Sequence, residues 1–309
     1  MILTVTLNTA LDLTYRVPRL RPHTSHRVTG VAERPGGKGL NVARVLAALG
    51  VPTVVTGFVG GPTGETLRGL LAESAEATGH LTDALVPISG PTRRTVGVVD
   101  GSTGDTTQLN ETGPDVTAQE WAAFTDAYTS LLPRVRAVAL CGSLPPGVPV
   151  GAYARLVRQA RAAGVPVLLD THGEPLRRGI AARPDLVKPN AAELAALTGS
   201  TEPLRAALDA RRRGAHAVAA SLGAEGMLAV TPDGIWRAAP PQRLSGNPTG
   251  AGDSAVAGLL SGWLDGLSWP DRVARAVALA AATVRAPTAG EFDRATYDSL
   301  LPQVKVTQV

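Results

Sequence analysis

The sequence predicts an α/β fold, in which helices flank a central, mostly parallel β-sheet and a small separate β-sheet lies beside it. Two observations lead to this prediction. Short apolar runs, typical of buried strands, alternate along the chain with segments of helical periodicity. Two further stretches have the alternating character of extended strands and contain no helix. With 309 residues, 44% of them hydrophobic, the chain can bury a large core, and we expect one domain over 1–309.

The first element is the apolar run 1–7, a predicted buried strand that ends at Asn8. A helix is predicted over 38–49, where apolar residues recur at helical spacing before Gly50 ends the pattern. The alternation then continues along the chain. Further strands are predicted at 53–59, 137–140, 165–169, 186–187, 217–221 and 227–230, and further helices at 63–74, 150–163, 191–197, 255–264 and 273–281. Strands separated by helices predict a parallel sheet that is covered on both faces.

The small sheet, or lid, is expected from residues 12–32 and 91–112. The first segment is extended and alternating, and the second has the pattern of a two-stranded hairpin around a turn at 100–104. Open α/β sheets bind ligands at the carboxyl ends of their strands. We therefore expect the lid to cover that edge of the body.

Composition excludes several classes of function. The formal net charge is +4, but the positive residues are dispersed and aromatic residues make up only 4%, which argues against a nucleic-acid partner. The apolar start is too short for a signal peptide or a membrane span, so no membrane role is expected. The single cysteine, Cys141, excludes an internal disulfide and is expected in the core. These features favour a cytoplasmic protein.

A glycine-rich turn, NPTGAGDS at 247–254, is the most informative segment for function. It leads directly into an apolar helical pattern. Glycines let backbone N–H groups crowd around an anion, and the positive end of the helix adds to the attraction. Asp253 stands beside these groups as a candidate base. The segment therefore favours phosphoryl transfer, with Asp253, Gly250, Ala251 and Gly252 as the candidate catalytic residues.

Three other interpretations fit the same turn. Residues 250–255 match the G-x-G-x-x-A dinucleotide fingerprint, but that motif needs a preceding strand, whereas here Pro248 precedes it and a second helix follows. The run 252–254, Gly-Asp-Ser, also occurs in serine hydrolases, but those usually take their histidine from downstream, and the last histidine here is His216. A glycine-rich helix cap without chemistry is the third interpretation.

A second candidate anion site lies at 36–41, where glycines and Lys38 open a helix. It is not a Walker A loop, because Gly39 stands where that loop needs Ser or Thr for magnesium. A simple helix entry is the alternative interpretation.

Three later segments follow predicted strands and carry further ligand groups. In the segment 188–193, Asn190 and Glu193 have the spacing of a helix-capping pair, and their oxygens also suit a magnesium ion or its water shell. The glycine turn 221–226 lets a nucleotide approach the backbone, and 142–147 is a stiff loop at a strand end.

Together these segments resemble the ribokinase-like sugar kinases, and within them the 1-phosphofructokinase and tagatose-6-phosphate kinase branch. The resemblance covers nearly the whole chain. The matching segments are 6–12, 36–44, 142–147, 188–193, 221–226 and 247–254. The resemblance implies a Rossmann-like α/β body with a β lid, ATP and Mg²⁺ as cosubstrates, and a homodimer formed through the lid.

The resemblance also implies roles for individual residues. Asp253 matches the catalytic base, and the amides of 250–252 match an anion hole. The residues matched to the substrate are Asp12 and Asn41 for sugar hydroxyls, Lys38 and Arg93 for an existing phosphate, and Gly37 and Ser143 in the surrounding loops. Those matched to ATP are Lys188, Asn190, Ser221, Gly223, Ala224, Glu225, Gly226 and Gly252, with Glu193 matched to magnesium through water.

The implied function is ATP-dependent phosphorylation of a ketohexose phosphate, either fructose 1-phosphate or tagatose 6-phosphate. The sequence departs from the branch at Thr9, usually Pro, and at Thr95 and Gly97, where the branch tends to have Asn and Lys. Arg93, Thr95 and Gly97 would share one face of a strand, so the altered positions are expected to face the sugar. Two alternatives stay open: a kinase for an unphosphorylated sugar or nucleoside, and a non-catalytic sugar-phosphate sensor.

Overall fold

The body of the protein is an 11-stranded β-sheet with helices packed on both faces, and a separate four-stranded sheet is attached to it. The computed structural model describes residues 1–286 and 288–309. The predicted fold class, a mostly parallel sheet flanked by helices with an additional small sheet, is confirmed.

The strands are β1 (Ile2–Thr6), β2 (Ala10–Val17), β3 (Gly30–Gly36), β4 (Thr53–Val59), β5 (Leu81–Asp83), β6 (Val86–Pro87), β7 (Arg93–Asp100), β8 (Thr106–Asn110), β9 (Ala137–Cys141), β10 (Val167–Asp170), β11 (Leu186–Val187), β12 (Ala217–Ser221), β13 (Met227–Val230), β14 (Ile235–Ala238) and β15 (Val306–Gln308). The helices are α1 (Lys38–Ala48), α2 (Gly61–Thr78), α3 (Ala118–Leu131), α4 (Ala152–Ala162), α5 (Gly173–Ala181), α6 (Ala191–Thr198), α7 (Pro203–Arg212), α8 (Ala251–Leu264), α9 (Trp269–Thr283) and α10 (Arg294–Leu300).

The large sheet has the order β15-β14-β13-β12-β11-β10-β9-β1-β4-β5, with β6 paired to β4. It is parallel from β5 to β12 and antiparallel from β12 to β15. β1 lies between β4 and β9 and is buried along its whole length, including its two threonines, as expected for an inner strand of a parallel sheet that is covered on both faces. Alternate residues of β1 therefore enter two different cores, Leu3 and Val5 on one face and Ile2 on the other.

The small sheet has the order β3-β2-β7-β8, and we call it the lid. β2 and β7 run parallel, with Asp12 opposite Thr95, while β3 and β8 flank them in antiparallel pairs. The first lid segment is longer than predicted. It starts at Ala10 and continues to Gly36, directly before α1, because its return strand pairs with β2 over that whole length.

Some elements differ from the predictions or were not predicted. α2 is longer than the predicted helix at both ends. The sequence interpretation did not include the helices α3, α5, α7 and α10 or the short strands β5, β6, β14 and β15. Over the part of the chain that the structure describes, no helix combines the length and apolar character needed to span a membrane.

Candidate active site

A cavity of about 1760 Å³ opens at the carboxyl ends of the parallel strands, between the body and the lid. Typical single-ligand pockets are of about 300–1,000 Å³, so this cavity has room for two substrates side by side. Nearly all of the residues predicted from sequence line it. They are Asp12, Gly37, Lys38, Asn41, Arg93, Ser143, Lys188, Asn190, Glu193, Ser221, Gly223, Ala224, Gly226, Gly250, Ala251, Gly252 and Asp253.

The glycine turn forms the amino-terminal end of α8. Gly250 adopts a left-handed conformation with φ +86°, which a residue with a side chain rarely adopts. Among the described residues, the N–H groups of Gly250, Gly252 and Asp253 have no hydrogen-bond acceptor, whereas Ala251 N–H donates to Pro248 O at 3.1 Å. First-turn amides without an intrahelical acceptor are available to an anion.

Asp253 lies in the first turn of α8 and is almost completely buried. Burial and the neighbouring Asp170 carboxylate raise the pKa of its carboxyl, while Lys38 and a hydrogen bond from Asn41 lower it, and together they bring the pKa to about 6. Nδ2 of Asn41 donates to Oδ2 of Asp253 at 2.8 Å. A carboxylate with this pKa is mostly ionised at pH 7 and can accept a proton.

Two lysines flank the buried carboxylate of Asp170 at the floor of the cavity. Nζ of Lys38 is 3.2 Å from Oδ1, and Nζ of Lys188 is 3.4 Å from Oδ2. Burial lowers the pKa of Lys38, but Asp170, Asp253 and Glu193 together raise it above its usual range, so the ammonium stays charged. A Cβ placed on Gly252 would lie 3.6 Å from Nζ of Lys188, which locates this ammonium beside the glycine turn.

The lid contributes a second charged cluster. Burial raises the pKa of Asp12 to about 6, against the opposing effects of a hydrogen bond from Thr95 and the charge of Arg93. Arg93 donates through Nε to Asn8 O at 3.3 Å and through Nη1 to Glu111 O at 3.1 Å. Within residues 1–286 and 288–309, Nη2 of Arg93 has no hydrogen-bond partner, so it is available to a ligand.

Asn190 and Glu193 form the capping box that their spacing predicts at the start of α6. Oδ1 of Asn190 accepts from Glu193 N–H at 2.8 Å, and Oε2 of Glu193 accepts from Asn190 N–H at 2.8 Å. A capping role is therefore present, and Oε1 of Glu193 is left for another partner.

The loop after β12 brings its glycine backbone to the cavity. Glu225 was predicted as an ATP-binding residue of this loop, but its side chain lies outside the cavity. Gly223–Glu225 is a short 3-10 turn, closed by a hydrogen bond from Leu222 N–H to Gly226 O at 2.8 Å. The Glu225 carboxylate lies 2.9 Å from Nη2 of Arg237 and is exposed. Glu225 is not among the described cavity-lining residues, because the turn directs its side chain toward β14.

The structure contradicts two alternative interpretations of the glycine turn. Ser254 is completely buried and its Oγ accepts a hydrogen bond from Thr283, so it is not an exposed hydrolase nucleophile. α8 follows an irregular segment and leads into α9, so the turn lacks the strand and the βαβ unit of a dinucleotide fingerprint.

The family model described as pfkB family carbohydrate kinase matches residues 3–295. The chain belongs to the pfkB family. It is therefore a carbohydrate kinase, a phosphotransferase of a family that uses ATP as the phosphoryl donor and a hydroxyl as the acceptor.

Solved structures of similar proteins agree with the family. A Thermotoga maritima protein described as a possible 1-phosphofructokinase is 29% identical with a TM-score of 0.90, covering 100% of this chain and 99% of its own. Phosphofructokinase-2 from Escherichia coli in complex with fructose-6-phosphate is 28% identical with a TM-score of 0.88, covering 98% of both chains. The same enzyme is also described in a tetrameric inhibited form, at 28% identity, a TM-score of 0.88 and 98% coverage of both chains.

Two cavity residues of this pfkB kinase were not singled out from the sequence. Asp170 ends β10, and Asn8 directly follows the predicted end of β1. Nδ2 of Asn8 donates to Thr112 O at 3.0 Å and to Ser143 Oγ at 3.1 Å, which ties the base of the lid to the body. Both could have been identified from sequence, because each is a polar residue at the carboxyl end of a predicted strand, and α/β proteins bind ligands at that end of their strands.

Proposed function

We propose that this pfkB kinase transfers the γ-phosphate of ATP to a hydroxyl of a ketohexose phosphate, converting fructose 1-phosphate to fructose 1,6-bisphosphate or tagatose 6-phosphate to tagatose 1,6-bisphosphate. The observation that carries the proposal is Arg93, a half-buried lid guanidinium at the cavity wall with Nη2 available. A guanidinium recognises a phosphate dianion through charge-assisted hydrogen bonds that a neutral sugar cannot form.

The names of the similar proteins support a phosphosugar as the substrate class. Both are phosphofructokinases by description, and one structure holds fructose-6-phosphate. Identities of 28–29% leave the individual sugar open. The lid residues Thr95 and Gly97, which share a face with Arg93, are the positions we expect to select among phosphosugars.

In the proposed mechanism, Asp253 takes the proton from the attacking sugar hydroxyl as the oxygen–phosphorus bond forms. Asn41 holds the carboxylate in place by its hydrogen bond to Oδ2. Charge on the transferred group is stabilised by the first-turn amides of α8 and by the ammonium groups of Lys38 and Lys188. Because Lys38 already contacts Asp170, recognition of the sugar's own phosphate depends mainly on Arg93.

The residues present fit a magnesium ion bound with the nucleotide. Oδ2 of Asp170 is buried and accepts no hydrogen bond, although Nζ of Lys188 lies 3.4 Å from it, and Glu193 keeps one carboxylate oxygen outside its capping bonds. Among the described residues, no cluster of three His, Cys, Asp or Glu side chains forms a protein-only metal site, so most ligands would be water and phosphate oxygens. Bound magnesium would neutralise charge on the phosphates. Asp170 and Glu193 would hold it, Glu193 through water.

A specific observation favours a second candidate, a kinase for an unphosphorylated sugar or nucleoside. Carboxylates outnumber Lys and Arg side chains among the described cavity-lining residues, five to four. The carboxylates belong to Asp12, Glu111, Asp170, Glu193 and Asp253, and the cations to Lys38, Arg93, Lys188 and Arg243. Gly97 also adds no side chain to the lid.

The deciding experiment is a coupled ADP-release assay over fructose 1-phosphate, tagatose 6-phosphate, fructose 6-phosphate, fructose and ribose. We expect one ketohexose phosphate to give the highest kcat/KM. Preference for fructose or ribose would favour the second candidate, and absence of ADP release with every sugar would favour a non-catalytic sensor.

We also propose a homodimer formed through the lid. Three of the most exposed large apolar side chains, Val28, Val31 and Leu109, lie on the lid or its connecting loop, with exposures of 41%, 61% and 61%. Val31 lies on the edge strand β3 and Leu109 on the opposite edge strand β8, so exposed apolar side chains border the lid sheet on both sides. Exposed apolar side chains grouped on one part of a protein are a feature of interaction surfaces. A cytoplasmic location stays a prediction from the sequence.

A further inference from the structure

The glycine turn rests directly on the backbone of a distant loop that follows α9. A Cβ placed on Gly250 would lie 2.9 Å from both Cα and Cβ of Ala289 and 3.3 Å from Gly290 N. Real side chains almost never approach this closely, so the two backbones are in contact with no space between them. A displacement of Ala289 and Gly290 would therefore displace the turn whose amides face the cavity.

That loop is in turn supported by α1. Gly290 has φ +76°, and a Cβ there would lie 2.8 Å from Nη1 of Arg44 and 3.0 Å from Oδ1 of Asn41. The Arg44 side chain is only 9% exposed. Its Nη1 donates to Ala289 O at 3.1 Å, and its Nη2 donates to Oε1 of Glu291 at 2.8 Å. The guanidinium thus binds the loop at two points on either side of Gly290.

The same carboxylate oxygen also meets the lid. Nε of Arg34, on β3, is 3.5 Å from Oε1 of Glu291. Both side chains of this pair are partly exposed, so its own energy is small. The buried contacts of Arg44 therefore hold the loop in place, and the contact with Arg34 fixes the orientation of the Glu291 side chain.

We propose that Arg44 is a positioning residue for phosphoryl transfer: it holds Ala289 to Glu291 against Gly250 and so keeps the amides of the glycine turn in place. The proposal rests on the proposed function. One turn earlier on α1, Asn41 binds the carboxylate of Asp253. α1 therefore holds both the proposed base, through Asn41, and the loop that supports the glycine turn, through Arg44. Displacements of about 1 Å away from the reacting atoms can lower rates about 100-fold.

The test compares Arg44→Lys and Arg44→Met with the wild-type enzyme under saturating ATP and the best sugar of the assay above. A lysine keeps the charge but cannot bind Ala289 O and Glu291 together, so both variants should lose about 10- to 100-fold in kcat. KM for the sugar and for ATP should stay within about threefold of wild type, because their ground-state contacts come from other residues. Rates are expressed per folded molecule, with folding checked by thermal unfolding.

Two further variants make the result decisive. Glu291→Ala removes the carboxylate that Arg44 binds. Because Glu291 is partly exposed, this variant should fold even if Arg44→Met does not, and its kcat should also be lower than that of the wild type. Arg275→Met is the matched control, because Arg275 is also a mostly buried arginine that pairs with a carboxylate. Its partner, Asp265, caps the end of α8 that lies away from the cavity. The kcat of this variant should equal that of the wild type. Wild-type kcat in folded Arg44→Lys and Glu291→Ala would overturn this proposal alone. An inactive wild-type enzyme would overturn the proposed function as well.

Discussion

Asn41 and Asp253 are 212 positions apart in the chain, yet Nδ2 of Asn41 donates a 2.8 Å hydrogen bond to Oδ2 of Asp253. The bond joins α1 to the first turn of α8. Because Asp253 is buried, its carboxylate cannot rely on water for orientation, and the amide supplies a fixed direction. The proposed base is therefore held by a helix that also carries Lys38 and Arg44.

The first prediction concerns the base. Asp253→Asn should lower kcat by roughly two to four orders of magnitude, the usual scale for a general base. The carboxyl pKa is raised to about 6 in the folded protein, so the ionised form is disfavoured by folding. The neutral amide should therefore increase the free energy of unfolding at pH 7 by about 1–3 kcal/mol, a gain that disappears near pH 4, where the carboxyl is protonated in the folded state.

Steady-state kinetics and urea unfolding at the two pH values check both parts. A folded Asp253→Asn variant that keeps more than about a tenth of the wild-type kcat would exclude the role of base.

The pH dependence of kcat/KM is the second prediction. Asp253 and Asp12 both have pKa values raised to about 6. Asp253 accepts the proton in the proposed mechanism, and we expect Asp12, the residue matched to sugar hydroxyls, to accept hydrogen bonds from the sugar as an ionised carboxylate. As pH falls below 6, kcat/KM should decrease with a steeper slope than a single titrating group gives. The substrate phosphate also titrates in this range, so the informative comparison is wild type against Asp12→Asn with one substrate. In a plot of log kcat/KM against pH, the slope on the acid side should be smaller by one unit in Asp12→Asn than in the wild type. Identical slopes would show that the titration of Asp12 does not affect kcat/KM.

A third prediction separates capping from metal binding at Glu193. Glu193→Gln keeps a side-chain oxygen that can accept from Asn190 N–H, so α6 and the thermal stability should change little. If the carboxylate organises magnesium through water, the magnesium concentration for half-maximal rate should rise while the sugar KM stays constant. A magnesium titration that superimposes on wild type would leave Glu193 with its capping role only.

The fourth prediction tests the phosphosugar assignment through Arg93. Losing a charge-assisted contact costs about 1.5–3 kcal/mol, so Arg93→Ala should lower kcat/KM for the phosphosugar roughly 10- to 150-fold and hardly affect any activity on free fructose. Arg94 is the matched control, since it lies on the opposite face of β7 and is exposed. Unchanged phosphosugar kinetics in Arg93→Ala would leave only the broader assignment of sugar kinase.

The fifth prediction concerns the lid interface. Replacing Val31 and Leu109 together by Asp puts two charges on an apolar lid surface, which should shift a dimer to monomers in light scattering. Leu208→Asp, at an exposed apolar residue of α7, should leave the mass unchanged. A wild-type protein that is already monomeric would refute the interface.

Much of this arrangement follows from local sequence pattern. Buried parallel strands such as β1 and β4 are short runs of mainly apolar residues and threonine, and the capping box of Asn190 and Glu193 is encoded within four residues. The glycine turn identified Asp253 for a similar local reason. The family resemblance added Asp12 and Arg93, which no local pattern connects to the glycine turn.

Other features depend on contacts between distant segments. Asp170 can be interpreted only in the folded chain, where the first residue of α1, Lys38, and the residue after β11, Lys188, lie beside its two carboxylate oxygens. Glu225 matched the motif, but its side chain turns to Arg237 on β14, a strand that was not predicted. Short edge strands and short amphipathic helices are stabilised by the sheet they cover, so periodicity over a few residues does not identify them.

The central place of β1 also bears on how the chain acquires its structure. β1 pairs with Thr53–Gly57 on one side and Ala137–Cys141 on the other, so the middle of the sheet is assembled from segments that are far apart in sequence. Closing such long loops has an entropic cost before any contact forms. During synthesis, β1 cannot pair with β9 until the ribosome has passed residue 141. We therefore expect slow refolding, and a requirement for protection of this apolar segment while the chain is incomplete.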